Sequence, residues 1–151
     1  MASLKNIYQK EVKIKVIKFL MVFLVLAGIA FAQDTGEKKK AYTATVDPDG
    51  VQRVTISGGS YFFEPDHIIV KVNMPVELTI KKESGIVPHN IIIINAPDAG
   101  MDINESLSDK PKIIQLIPKK VGKYPFYCDK RLLFFKSHKE KGMEGVIEVV
   151  E

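Results

Sequence analysis

The sequence predicts an all-β fold, a two-sheet antiparallel sandwich, on three observations. Beyond residue 32, short apolar stretches alternate with polar residues at a period of two. Gly, Pro, Asn and Asp residues punctuate these stretches, and helical periodicity is slight. About seven short strands separated by turns is the pattern of a sandwich.

Taken in order, Val54 and Ile56 alternate with polar neighbours, and Gly58, Gly59 and Ser60 bend the chain ahead of Tyr61, Phe62 and Phe63. Ile68, Val70 and Val72 share a face opposite Lys71, and Asn73, Met74 and Pro75 make a turn. Val76, Leu78 and Ile80 alternate with Glu77, Thr79 and Lys81, a strand with one wet face. Residues 91–94 are consecutive isoleucines, suited to a central strand covered on both sides. Residues 96–110, with Pro97, Gly100 and several Asp, Asn and Ser residues, read as a long loop containing Met101. Ile114 and Leu116 mark a further strand. Tyr124, Phe126 and Cys128 fall on one face of the next. The last strand sets Met143, Ile147 and Val149 against Glu144 and Glu148.

The N-terminus differs from everything after it. Lys5, Lys10, Lys13, Lys15 and Lys18 precede an uncharged run over residues 19–32 that ends in Ala30, Phe31 and Ala32. A basic start, an apolar run and small residues at the cleavage positions predict a secretory signal over 1–32. A flexible lead-in over 33–45 and a folded domain over 46–151 follow, in a protein that is periplasmic or otherwise exported. The run is short for a membrane helix, which needs roughly 20 residues, so an uncleaved signal is the one membrane anchor expected. The formal net charge of +4 belongs to this leader. Without residues 1–32, 17 basic and 17 acidic residues remain, and nothing in the charge points to nucleic acid.

Cys128 is the single cysteine. An exported chain cannot close an internal disulfide with one thiol, so Cys128 is buried and inert, pairs between molecules, or binds metal. His89, His138 and Met143 weight the third reading. A thiolate, two imidazoles and a thioether form the donor set of a mononuclear copper electron-transfer site. His67, beside an apolar strand, reads as a surface or satisfied residue, and Met74 and Met101 have no assigned role.

Pro88, His89 and Asn90, the aromatic approach Tyr124 to Cys128, and the spacing from His138 to Met143 resemble the cupredoxin family of small exported copper proteins, which includes plastocyanin and azurin. The resemblance spans about residues 50 to 151. It implies a Greek-key sandwich with a short helical or irregular ligand loop, and copper as cofactor. His89, Cys128 and His138 would be equatorial ligands and Met143 the weak axial one. One departure stands out: nine residues separate Cys128 from His138, more than blue copper proteins usually have. As a straight helix they would carry the chain about 13 Å away, so the segment must fold back or His138 is no ligand. The copper domain of cytochrome oxidase subunit II has a second cysteine in this loop and this chain has none, which argues against a binuclear centre. Nitrosocyanin-type members use a carboxylate ligand, and Glu140 and Glu144 leave that choice open.

Leu132, Leu133, Phe134 and Phe135 lie inside this loop, flanked by Lys130, Arg131, Lys136, Lys139 and Lys141. They pack as a turn against the sandwich end, or they form a docking patch for an acidic partner such as a cytochrome or oxidase, or for an anionic membrane surface. The expected function is one-electron transfer by Cu(II)/Cu(I) cycling in a protein that is not an enzyme, since phosphate-loop, Ser/His/Asp and HExxH patterns are missing. The alternatives are copper delivery or storage, and a nitrosocyanin-like accessory subunit with an open copper position.

Overall fold

A computed structural model describes residues 41–94 and 96–151. The expected signal, 1–32, and residues 33–40 of the expected lead-in lie outside the described residues. The strands are β1 (Tyr42–Thr43), β2 (Thr45–Val46), β3 (Gln52–Gly59), β4 (Phe62–Glu64), β5 (His67–Lys71), β6 (Val76–Lys82), β7 (His89–Ile93), β8 (Ile103–Leu107), β9 (Lys112–Leu116), β10 (Gly122–Tyr127) and β11 (Glu144–Val150). Two short 3₁₀ turns, Pro97–Ala99 and Lys139–Lys141, are the helical elements among the described residues.

Two sheets face each other. One has six strands in the order β1-β5-β11-β10-β7-β8, and the other runs β2-β3-β6-β9 with β4 hydrogen-bonded to β3. The all-β sandwich expected from the alternation is present, but its pairing is mixed rather than antiparallel throughout. β3 runs parallel to β6, and β5 runs parallel to both β1 and β11. A two-residue period says which face a side chain takes and is silent on the direction of the neighbouring strand. The chain turns from β3 into β4, enters β5 in the other sheet, and returns as β6 in its original direction beside β3.

The alternating residues make the core. Ile56, Leu78 and Ile80 from one sheet meet Ile68, Ile91, Phe126 and Ile147 from the other, all fully buried. Phe63 of β4 and Phe126 of β10 join the two layers edge to face, ring centroids 5.1 Å apart. Full burial of such a side chain contributes about 1.5–3 kcal/mol. β7 is buried along its whole length, as the isoleucine run implies.

Three local expectations change. The loop expected over 96–110 contains β8, which pairs with β7 from His89–Leu107 to Ile93–Ile103. Ile103 and Leu107 face the core while Asn104 and Ser106 face outward, so the polar residues that resembled a loop are the wet face of a strand. Met101, expected in that loop without a role, is fully buried in the core. Residues 42–43, inside the expected lead-in, form β1 at the edge of the larger sheet, where they pair with Ile68 and Ile69.

Candidate metal centre

Strand ends position the site. His89 opens β7, and Cys128 follows directly on β10, on the face that carries Phe126. His138 begins the 3₁₀ turn Lys139–Lys141, which Gly142 ends in the left-handed conformation (φ 93°) before Met143 leads into β11. The nine residues between Cys128 and His138 do fold back. His138 N donates to Lys130 O at 2.8 Å, and Lys139 N donates to Cys128 O at 3.0 Å. This pinch leaves the middle of the loop as a separate excursion and returns His138 beside the cysteine.

His89 Nδ1, His138 Nδ1 and Cys128 Sγ converge. The two ring nitrogens lie 3.1 Å apart, and the sulfur is 3.4 Å from His138 Nδ1 and 4.0 Å from His89 Nδ1. All three residues are buried. An ion bound at about 2.0–2.3 Å from each donor requires separations of this size, so the cluster can hold a metal ion.

Met143 is tied to the cluster through its backbone. Its carbonyl accepts from Cys128 N at 3.1 Å, and its N–H donates to His138 O at 2.9 Å. Its side chain is fully buried, toward Gly58 of β3. A Cβ on Gly58 would come 3.2 Å from the Met143 methyl and would run into Leu107 Cδ2. The two carboxylates considered as alternative donors are occupied or outside. Glu140 accepts from Ser137 N and Oγ, both at 2.7 Å, and Glu144 is exposed. His67 is satisfied away from the site, 2.8 Å from Glu148 Oε2.

Two residues around the cluster were not singled out by the sequence. Asn90 N–H points at Cys128 Sγ at 3.4 Å. Its amide also grips Asp129: Nδ2 donates to Asp129 Oδ1 at 2.9 Å and Oδ1 accepts from Asp129 N at 3.2 Å. The Pro-His-Asn triplet was the available signal for this residue. Tyr61, at φ 65°, sets its ring edge-on to His138 with centroids 5.0 Å apart, and its hydroxyl accepts from Lys141 Nζ at 3.0 Å. Nothing local in the sequence marks that pairing across 77 positions.

Burial sets the protonation of the metal-free site. It pushes His89 down to about 4, with the charges of His138 and Lys82 adding to the effect. Burial, then Lys141, lowers His138. Burial also raises the Cys128 thiol, while the Asn90 N–H works against it. At neutral pH the site therefore holds two neutral imidazoles and a protonated thiol, and metal binding releases the thiol proton. A narrow cleft of about 100 Å³, lined by Gly59, Tyr61, Glu83, Gly85 and Val87, opens onto His89. A larger groove of about 530 Å³, between Val51, Pro75 and Leu116, shares no residue with the cluster.

Residues 132–135 are not buried against the sandwich. All four side chains are exposed, Phe134 by 88%.

Among solved structures, the chain is similar to the metal-binding domain of the Cu(I)-exporting P-type ATPase CopA of Streptococcus pneumoniae D39. The two share 22% identity and a TM-score of 0.56, over 75% of this chain and 98% of that one. It is also similar to reduced auracyanin of Roseiflexus castenholzii, at 20% identity and TM-score 0.52, over 72% of this chain and 99% of that one. The periplasmic domain of cytochrome oxidase subunit II of Bradyrhizobium japonicum aligns at 13% identity and TM-score 0.50, over 66% of this chain and 83% of that one. These likenesses concern the fold. No curated protein matches the chain. The family of cupredoxin-like domains matches residues 18–147. With the sandwich and its buried His-Cys-His cluster, that match makes the chain a member of the cupredoxin-like family.

Proposed function

We propose that this exported protein carries single electrons, and that His89, Cys128 and His138 would hold one copper ion with Met143 as a weak further donor. The convergence of three donor atoms within 4.8 Å at a buried strand end carries the reading. Copper is the cofactor that suits such a donor set, and when bound it supplies a one-electron couple that needs no bond-making partner.

The protein's own contribution is rigidity and exclusion of water. His89 is fixed at the start of a buried strand, Cys128 is gripped through Asn90 and Met143, and His138 is closed in by Lys130 and Tyr61. A ligand set held by this network changes little between oxidation states, and the apolar wall and the Asn90 N–H at the sulfur tune the potential. A carrier also needs a redox partner, here a cytochrome or oxidase.

Adding Cu(II) to the purified protein tests the proposal. An intense thiolate-to-copper absorption band that disappears in Cys128→Ser is expected. No band from the wild-type protein would overturn it. Copper delivery is the second reading, favoured by the likeness to a domain crystallised with Cu(I). Rapid loss of Cu(I) to a chelator, with no stable oxidised form, would select it.

A further inference from the structure

We propose that residues 132–135 insert into the interfacial region of an anionic lipid bilayer, with the basic side chains around them on lipid phosphates. The inference does not depend on which metal the cluster holds.

The first observation is shape. Phe135 N donates to Leu132 O at 3.0 Å, closing a tight turn, and Leu133 sits at φ 51° in the left-handed region. A leucine rarely adopts that conformation. Leu133 is 73% and Phe134 88% exposed, and the Phe134 and Phe135 rings meet each other at 5.4 Å. Four large apolar side chains thus stand on a narrow tip beyond the Lys130–His138 pinch.

The second observation is charge. Residues 129–142 contain five basic side chains and two acidic ones. Both acids have partners: Asp129 is bonded to Asn90, and Glu140 to Ser137. Lys139 and Lys141 extend the basic collar across the sandwich end, over the rings of Tyr127 and Tyr61. An apolar tip inside a cationic collar complements acyl chains beneath anionic headgroups. Long basic side chains at such a boundary lay their stems on the apolar layer and keep their charge at the phosphates. A second copy would bring two cationic collars together, and an acidic protein would need a cavity shaped to the protruding tip.

The chain contains no tryptophan, so Phe134→Trp makes the tip the sole indole reporter. In the metal-free full chain, phosphatidylglycerol vesicles should shift its emission to the blue, and brominated acyl chains should quench it. Phosphatidylcholine vesicles should do so at least tenfold less effectively. Salt, or the added pair Arg131→Glu and Lys136→Glu, should weaken the response to a similar degree. Quenching by brominated acyl chains requires the indole itself to reach them, so it reads the tip and not the apolar N-terminal run. Unchanged emission with anionic vesicles would overturn the proposal. So would an equal response to both lipids, or a lipid-independent blue shift that grows with protein concentration and reports self-association.

Discussion

Asn90 and Asp129 are joined at two points: the Asn90 amide donates to the Asp129 carboxylate at 2.9 Å and accepts from the Asp129 backbone at 3.2 Å. The pair locks the residue after His89 to the residue after Cys128, so two of the three converging donors are fixed relative to each other by their neighbours. Asn90→Ala removes both bonds and leaves the Asp129 N–H without this partner. A loss of about 1–3 kcal/mol is expected in denaturant unfolding, with copper released faster than from the wild type. Unchanged stability and release would show that the clamp is idle.

Gly58 faces Met143 across the sandwich. Gly58→Ala should overpack the site by about 1–3 kcal/mol, because the new methyl meets Leu107 and comes 3.2 Å from the Met143 methyl. Met143→Leu is near volume-conserving and should cost less than about 1.5 kcal/mol in the metal-free protein. If Met143 is the proposed weak donor to Cu(II), its loss should raise the reduction potential of the copper form. Calorimetry and redox titration separate the two effects. An unchanged potential in Met143→Leu would remove Met143 from the ligand set.

Acid should weaken the metal-free protein through its imidazoles. Burial holds His89 at about 4 and also lowers His138, whereas a histidine in the unfolded chain titrates near 6.5. A group whose folded value is depressed favours folding fully above the unfolded value, and that contribution is lost as pH falls toward the folded one. The unfolding midpoint should therefore drop between about pH 6.5 and 4, more steeply in the wild type than in His89→Asn. Parallel profiles for the two proteins would contradict the depressed value.

The Lys130–His138 closure separates the ligand geometry from the tip beyond it. Replacing residues 132–135 with Ser-Asn-Gly-Ser should leave the position and intensity of the copper band unchanged, because the 2.8 and 3.0 Å backbone bonds that return His138 remain. A shifted or missing band would show that the tip helps to hold the site.

Alternation was enough to assign the faces of β3, β5 and β6 and to place Phe126 and Cys128 on the core side. Strand direction was hidden, because Val54 and Ile56 alternate in the same way whether β6 runs with β3 or against it. β8 is not legible in the sequence because its outward Asn104 and Ser106 are loop-forming residue types, and only pairing with β7 distinguishes them. The residues of the candidate site were readable from their chemistry, but their convergence was not. Nine intervening residues set no distance between Cys128 and His138, and the two backbone bonds that do are visible only in three dimensions. The exposure of residues 132–135 was likewise undecidable from an apolar run that suits burial equally well.

β11 lies between β5 and β10, yet it is the last strand in chain order. Met143 leads into it, and the Met143 backbone braces both Cys128 and His138. In an unfolded chain the donors are distant points on a string and no cage exists. The backbone bonds through which Met143 braces Cys128 and His138 depend on where the last strand sits in the larger sheet. The centre's geometry is thus tied to the completed domain rather than to the loop that carries Cys128 and His138 alone.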